Sequence, residues 1–359
     1  MKKKLKVIVC GASFGQFYME ALYRQSEHFE VLGLYARESE RNISCAKIYG
    51  VKLYTELQDV PEEVELAIVV MRSGILGGIG NDVVKYFLSK GVHVIQEFPI
   101  HPEDVAQHYK LARKNNVNYY IGDFYLKLPQ VKKFIETAKL LNMLTPILHI
   151  KMGMATQLSF PGVMMLREIL DNKHIELKCV TNNETMFQVL VGYAGKTSLT
   201  VEVQSEVDLL DPDSSMCMFQ ALTLIYETGR LVMADPFGPI YWYPRVRTST
   251  SIYANGEAGR SVAVSNGLQM AMRLGCYEAV NYTNIQSQLW IETIQKDLMD
   301  MLSGIENKKL YMKKAQKDIS GTKQWNEVNK LVGFPRKVER NQVTEDIWKQ
   351  VENIVKSMD

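Results

Sequence analysis

Short apolar runs alternate with amphipathic stretches over the first 125 residues. Runs such as LKVIVC, EVLGLYA and ELAIVVM are almost wholly apolar, which is typical of strands buried on both faces of a sheet. The stretches between them carry helix signals: Ser39 is a plausible N-cap, Gly50 and Gly91 are plausible C-terminal stops, and Pro102 stands in a first turn. Strand–helix alternation with short links predicts right-handed βαβ units, and therefore an α/β domain with a doubly wound parallel sheet over residues 1–124.

Ligands of such sheets bind beyond the carboxyl ends of the strands. Chemistry is therefore expected in the segments that follow the predicted strands. These segments are 11–15, 37–41, 71–80, 97–99 and 123–125.

The pattern changes after about residue 125. A helix is predicted over 129–142, and runs such as ILHIKMGM and SLTVEVQSEV then indicate a mostly antiparallel sheet with a hairpin turn at ETGR. The segments NIQSQLWIETIQKDLMDML and EDIWKQVENIVKSM are helical again, whereas 304–343 is charged and poorly periodic and predicts loops and short helices. We expect a C-terminal α+β domain over 125–359 for substrate binding and dimerisation, with terminal helices that could pack back on the first domain.

Composition describes an ordinary globular chain. Its 359 residues are 46% hydrophobic and 23% charged, and the net charge of +2 gives no reason to expect nucleic-acid or membrane-surface binding. Five separated cysteines without a CxxC pair favour reduced thiols in a cytoplasm and predict no metal site. No apolar run reaches the roughly 18 residues of a membrane span, and the run after MKKKLK is too short for a signal peptide.

The stretch VIVCGASFGQFY resembles a phosphate-binding turn with altered glycine spacing. The usual glycines would stand at 11, 13 and 16, but the chain has Gly11, Ser13 and Gln16, with an extra glycine at Gly15. Gly11 permits the tight turn, and Ser13 is small and could donate to a phosphate. We predict that Gly11, Ser13, Phe14 and Gly15 bind a dinucleotide. The alternative is a strand–helix turn without a ligand.

The end of the second strand indicates which dinucleotide is bound. It carries no acid for a ribose hydroxyl, and Arg37, Ser39 and Arg41 could instead hold a 2′-phosphate at a helix N-terminus. NADP(H) is the predicted cofactor. The alternative is that these side chains are ordinary solvated charges at a helix start.

The order of elements, with Glu-x-Pro after the fifth strand, resembles the glucose-fructose oxidoreductase/inositol dehydrogenase (Gfo/Idh/MocA) superfamily, which has a Rossmann domain followed by an antiparallel-sheet domain. Stretches within the first 125 residues are similar to a smaller group, the thiazolinyl imide reductases of siderophore assembly lines. They are CGASFGQFY, YARESER, VMRSGILGGIGNDV, HVIQEFPIHPEDV and the pair Phe124–Tyr125.

This resemblance implies an NADPH-dependent oxidoreductase that reduces the C=N bond of a thiazoline to a thiazolidine. Its substrate would be a siderophore intermediate tethered to a carrier protein of a nonribosomal peptide synthetase. A homodimer formed through the open sheet of the second domain is expected by analogy with the superfamily.

Two departures argue against sugar oxidation. The superfamily's sugar dehydrogenases carry Glu-Lys-Pro, whereas this chain has Phe98, where the closer group often has a histidine. They also carry Asp-x-x-x-His in the second domain, but here that spacing occurs only at Asp104 and His108, on a predicted helix of the first domain that looks solvated. We therefore expect the chain to lack the base for alcohol oxidation.

Imine reduction needs a proton donor beside the hydride source. Tyr125 is the first candidate, because it is predicted to end the sixth strand and a tyrosine of pKa about 10 stays protonated at neutral pH. Its alternative role is packing at the domain junction. His101 is a second candidate proton source, although a helix-start histidine is the more ordinary interpretation, and water is a third.

Three further features are candidates for the site. Glu97 could hold the nicotinamide ribose or carboxamide, and Arg72 and Ser73 lie beside the expected cofactor path, with GGIG at 77–80 allowing close backbone approach. Trp242 and its tyrosine neighbours could line an aromatic pocket or pack within the sheet.

Two other functions stay open. The chain could reduce another imine or a carbonyl on a free small molecule. It could also be a sensor that binds NADP(H) and catalyses nothing.

Overall fold

The computed structural model describes residues 3–73, 77–181, 184–208, 210, 216–245, 269–275, 277–339 and 345–358. Its strands fall into two large sheets and one small pair, and helices pack against both large sheets.

The first sheet has six parallel strands in the order β3-β2-β1-β4-β5-β6, which confirms the predicted doubly wound Rossmann sheet. The strands are β1 Leu5–Cys10, β2 Phe29–Tyr35, β3 Lys52–Tyr54, β4 Leu66–Val69, β5 His93–Gln96 and β6 Tyr119–Ile121. The connecting helices are α1 Gly15–Tyr23, α2 Glu40–Ile48, α3 Gly80–Ser89 and α4 Pro102–Lys114. The central strands are buried on both faces, which explains their continuous apolar sequence.

The strand order reverses between β1 and β4, and this switch point positions the ligand cleft. The two strand ends are tied together there, because the Val70 N–H donates to the Cys10 carbonyl at 2.8 Å. The Gly11 N–H donates to the Tyr35 carbonyl on the other side, also at 2.8 Å. The carboxyl ends of β1, β2 and β4 therefore form one edge.

The second sheet has eight strands in the order β15-β14-β13-β12-β7-β10-β9-β8. They are β7 Ile147–Ala155, β8 Glu176–Cys179, β9 Phe187–Ala194, β10 Thr197–Gln204, β12 Gln220–Tyr226, β13 Gly229–Met233, β14 Ile240–Pro244 and β15 Met272–Arg273. Only the β7–β10 pair is parallel, so the prediction of a mostly antiparallel sheet is confirmed. The predicted hairpin turn is confirmed by the pairing of Tyr226 with Gly229. A small parallel pair joins β11 Glu206–Asp208 to β16 Arg336–Val338.

Helices cover one side of this sheet and reach back to the first domain. They are α5 Phe124–Lys127, α6 Pro129–Leu144, α7 Ser159–Ile169, α8 Trp290–Glu306 and α9 Lys308–Val332. A last helix, α10 Glu345–Lys356, has exposed side chains. A turn at Tyr282–Asn284 and a π-helical segment at Ile285–Leu289 lead into α8. Helix α8 packs on α1 and α5, and α9 packs on α4 and α7, so both helices contact the two halves of the molecule.

The prediction of loops and short helices over 304–343 was wrong for most of that segment, because α9 is a single helix of 25 residues. Its buried face includes Tyr311, Ala315, Asp318, Thr322 and Trp325, which are spaced four and three residues apart. Polar side chains at two of these positions hide the apolar period in the sequence. Tertiary hydrogen bonds of the buried Asp318 allow this arrangement.

Helix α7 has no counterpart in the sequence predictions. It is buried almost all round, so it shows no amphipathic pattern. Met164 and Met165 of this helix, like Met152 and Met154 of β7, are core residues as expected. Among the described residues, no helix is long and apolar enough to cross a membrane.

Candidate functional site

The predicted glycine turn lies at the switch point and has no room for a side chain. Gly11 has φ +94°, and a Cβ there would lie 2.4 Å from the Val70 carbonyl oxygen. A Cβ added at Gly15 would lie 3.3 Å from Val9 Cγ1, so α1 starts close against the sheet. Helix α1 has no side-chain cap and no acid in its first turn. This terminus fits the pyrophosphate of a dinucleotide, because its first N–H groups are left for an anion.

Ser13 and Phe14 lie in this turn, but they contribute differently. The Ser13 side chain is exposed, and its carbonyl accepts a hydrogen bond from Gln16 Nε2 at 2.9 Å. The Phe14 ring packs 5.7 Å from the Trp290 ring and 5.4 Å from the Phe124 ring, measured between centroids. Phe14 therefore offers only its backbone to a cofactor, and its side chain joins α1 to the helices of the second domain.

The segment after β2 presents two exposed cations, Arg37 and Arg41, with two exposed glutamates between them in the sequence. Ser39 is the N-cap of α2, as predicted, with its Oγ accepting from the Asn42 N–H at 3.3 Å. Asn42 Nδ2 donates to the Arg37 carbonyl at 2.8 Å, which fixes the backbone of this corner. Arg37 and Arg41 are exposed, and neither forms an ion pair with any residue that the structure describes. Both guanidinium groups can therefore take a phosphate.

The segment after β4 makes close contacts with the backbone of the protein, where the sequence predicts contacts with a ligand. Ser73 is buried, and its Oγ donates to the Pro99 carbonyl at 2.5 Å, which ties β4 to the segment after β5. Cβ atoms at Gly78 and Gly80 would lie 2.1 Å from the Arg72 carbonyl oxygen and 2.7 Å from that of Met71. The close approach that these glycines permit is thus to the chain's own backbone. The Arg72 side chain is exposed, and residues 74–76 lie outside the described part.

Glu97 directly follows β5 and is only partly buried. The Tyr18 hydroxyl of α1 donates a hydrogen bond to its Oε1. Burial raises the pKa of Glu97 to about 7; the Tyr18 hydrogen bond opposes this shift, and the carboxylates of Asp297 and Asp123 add to it. The carboxyl group can therefore carry a proton near neutral pH.

The sequence predicts that Tyr125 ends the sixth strand, and this prediction is wrong. Strand β6 ends at Ile121, and Tyr125 lies in the short helix α5 that follows. Its ring is 6.4 Å from that of Phe98, which in turn stacks on Phe160 at 5.0 Å. Burial and the nearby Glu97 carboxylate raise the pKa of Tyr125 further above its usual value, so the hydroxyl stays protonated. Within the described part of the chain this hydroxyl has no hydrogen-bond partner.

His101 is the N-cap of α4. Its Nδ1 accepts from the Glu103 N–H at 3.4 Å, as a helix-start histidine does. A role as a proton source stays a prediction.

The spaced pair Asp104 and His108 does not form a solvated surface, which corrects the sequence expectation. His108 is fully buried and its ring lies 5.1 Å from that of Tyr119, whereas Asp104 accepts from Asn81 Nδ2 at 2.6 Å. Burial lowers the pKa of His108 to about 3, so its ring is neutral. The pair belongs to the packing of the first domain.

The three neighbouring aromatic side chains of β14 do not line one pocket. Trp242 packs near Tyr226, at 5.9 Å between ring centroids. Tyr241 and Tyr243 lie together at 6.0 Å, with Arg230 over the Tyr243 ring. Successive strand residues point to opposite faces, so the sheet-packing interpretation fits Trp242.

The sequence analysis did not predict a cluster of lysine and aspartate side chains close to Glu97. Lys127 Nζ lies 2.7 Å from Asp297 Oδ1, 2.6 Å from Asp300 Oδ2 and 3.8 Å from Asp123 Oδ1. Lys314 Nζ lies 3.5 Å from Asp123 Oδ2. One signal existed, because Asp297 falls among the apolar positions of amphipathic α8. No group of described residues could hold a metal ion.

Residues 5–123 match the family model described as the GFO_IDH_MocA oxidoreductase family with an NAD-binding Rossmann fold. The match covers the part of the chain that forms the six-stranded parallel sheet, and this part is therefore similar to the nucleotide-binding domain of that family. No curated protein matches the sequence.

Solved structures share the fold over nearly the whole chain. GenD2 from gentamicin A biosynthesis, in complex with NAD, is 15% identical with a TM-score of 0.64, over 95% of this chain and 97% of that one. The UDP-N-acetylglucosamine 3-dehydrogenase GnnA from Acidithiobacillus ferrooxidans is 9% identical with a TM-score of 0.66, over 92% and 98%. Levoglucosan dehydrogenase, in complex with NADH and levoglucosan, is 10% identical with a TM-score of 0.64, over 92% and 97%.

Proposed function

We propose that the protein is a thiazolinyl imide reductase, which uses NADPH to reduce a thiazoline C=N bond to a thiazolidine. Its substrate is a siderophore intermediate tethered to a carrier protein of a nonribosomal peptide synthetase. The observation that carries the proposal is Phe98 stacked on Phe160 at 5.0 Å, at the position where sugar dehydrogenases of this superfamily place a lysine. An apolar ring cannot assist the deprotonation of an alcohol.

The cleft holds groups that can give a proton. Tyr125, with a raised pKa, stays protonated at neutral pH, and Glu97, whose pKa lies near 7, is partly protonated there. Either group can supply the proton that the reduction of a C=N group consumes.

The cofactor that fits best is NADPH. The turn from Gly11 to Gly15 would hold the pyrophosphate, and Arg37 and Arg41 would pair with the 2′-phosphate, with Ser39 able to donate its hydroxyl proton. When bound, the nicotinamide supplies the hydride. Tyr125 orients or protonates the substrate nitrogen through its hydroxyl group.

The proposed assembly is a homodimer formed through the open face of the second sheet. Directly paired residues on that face form a row across its strands: Tyr193, Ser198, His149, Ile225, Arg230 and Tyr243. Tyr193 and Ile225 are exposed apolar side chains in this row. A second copy would bury them, and size-exclusion chromatography with light scattering tests this assembly.

The test is NADPH oxidation with a hydroxyphenyl-thiazoline presented on a carrier protein, with NADH measured beside it. We expect turnover with NADPH, formation of a thiazolidine, and strong loss of turnover in Tyr125→Phe with cofactor binding retained. Equal rates with a free thioester mimic would instead favour a reductase of small molecules. Absence of turnover with any imine, despite NADPH binding, would support a sensor.

A further inference from the structure

Glu97 is placed to act on a ligand through one of its two carboxyl oxygens. It is the first residue after β5, at the same sheet edge as the glycine turn. Oε1 accepts from the Tyr18 hydroxyl. Oε2 has no hydrogen-bond partner among the described residues and is reached by solvent. One oxygen is therefore held by the protein, and the other is free to bind a ligand.

The Oε1 side of the Glu97 carboxyl group packs against the backbone at Gly122. A Cβ at Gly122 would lie 2.8 Å from Glu97 Oε1 and 2.9 Å from the Tyr18 hydroxyl oxygen. Tyr18 itself is fully buried, so its hydroxyl has little freedom to exchange this partner for water. The contact fixes which carboxyl oxygen is held by the protein and which is left free.

The groups that face Glu97 come from four elements. They are Tyr18 of α1, Asp123 after β6, Tyr125 of α5 and Asp297 of α8. Lys127 and Lys314 partly neutralise the two aspartates, at 2.7 Å from Asp297 and 3.5 Å from Asp123. The same aspartates line a cavity of about 370 Å³.

We infer that the Glu97 carboxyl group, through Oε2, is the proton donor of the reaction, and that Tyr18 is the positioning residue that keeps it in place. The inference rests on the proposed reduction of a C=N bond. As the substrate carbon receives the hydride, the π electron pair moves to nitrogen, which takes the carboxyl proton. Glu97 is left as a carboxylate that the Tyr18 hydroxyl stabilises, and a proton from water restores the acid.

The chemistry favours Glu97 over Tyr125 for this step. A general acid works best when its pKa lies near the working pH. Glu97 meets this condition, whereas burial makes the Tyr125 hydroxyl a weaker acid than an ordinary tyrosine. Tyr125 then orients the substrate by hydrogen bonding.

The first test measures the carboxyl group without substrate. Infrared spectra of the nucleotide-free protein, with Glu97→Gln as the difference reference, should show a protonated carboxyl band that disappears on titration near pH 7. Tyr18→Phe should move this titration upward by about one pH unit, because it removes a hydrogen bond that stabilises the carboxylate. Titration of Glu97 near pH 4.5 overturns the inference whether or not the substrate is correct.

The second test measures the reaction. Glu97→Gln should lower kcat by about 100-fold or more with an unchanged Kd for NADPH, and Glu97→Asp should keep part of the rate. In Tyr18→Phe the alkaline limb of the pH–rate profile should move upward, whereas in Tyr125→Phe its position should not change. Glu62→Gln, an exposed change in the turn before β4, is the matched control. An unchanged kcat in Glu97→Gln, or a loss of NADPH affinity equal to the loss of rate, would overturn the inference. If the wild type reduces no C=N bond, the proposed function fails, and the infrared titration still decides how Glu97 is protonated.

Discussion

Replacing Arg37 and Arg41 by glutamine removes both exposed cations at the end of β2 without disturbing a described ion pair. The corner itself is held by backbone and side-chain bonds of Ser39 and Asn42, which these changes leave in place. The variants should therefore fold normally and differ from the wild type in affinity for the phosphorylated nucleotide.

The expected loss follows from the exposure of the two side chains. A hydrogen bond between charged groups contributes about 1.5–3 kcal/mol, and the lower value applies in contact with water. Each variant should then bind NADPH about tenfold more weakly, since 1.4 kcal/mol corresponds to a factor of ten. If the two contacts are independent, the double variant should lose about 100-fold. NADH lacks the 2′-phosphate, so its Kd should change less than about twofold by the same reasoning.

Calorimetric titration of the nucleotide-free protein with NADPH and NADH measures these values. Lys47→Gln, which removes an exposed cation at the other end of α2, is the matched control and should leave both affinities unchanged. High salt should reduce the NADPH preference of the wild type but not of the double variant. Equal weakening of both nucleotides, or an unchanged NADPH affinity in the double variant, would refute the phosphate assignment.

Three further changes test the fold and its charges. Lys127→Met should cost about 3 kcal/mol in urea unfolding, because it leaves buried carboxylates unpaired, whereas Lys132→Met at an exposed pair should cost less than about 1 kcal/mol; equal losses would contradict this. Gly11→Ala should destabilise by about 2 kcal/mol or more and abolish nucleotide binding, whereas Gly50→Ala, also at positive φ but in open space, should cost about 1 kcal/mol in thermal unfolding. Since the folded-state pKa of Glu97 is raised from 4.5 to about 7, the folded protein binds the extra proton between these values, and stability is lost as pH rises through 7. The unfolding free energy of Glu97→Gln relative to wild type should therefore increase from pH 4.5 to 8, and a constant difference would show that Glu97 titrates normally.

Local sequence patterns determined most of the first domain. Apolar runs located the buried strands, and Ser39 and Gly11 identified a helix cap and a turn, because each depends only on its neighbours and on backbone conformation. The same logic failed in α9, where the buried positions include Asp318 and Thr322. Their burial depends on distant hydrogen-bond partners such as Tyr109, and no local period records them.

The tertiary structure decided which side chains act together. Tyr18 meets Glu97 across 79 residues of sequence, and Lys127 meets Asp297 across 170. The structure also places Tyr125 in α5 rather than at the end of the strand, and it places His108 in the interior rather than on the surface. Strand and helix formation follow from short-range periodicity, whereas the protonation of a carboxyl group follows from every charge and dipole that folding brings within a few ångströms. The sequence by itself therefore determined the nucleotide-binding framework, and folding alone decided which groups surround Glu97.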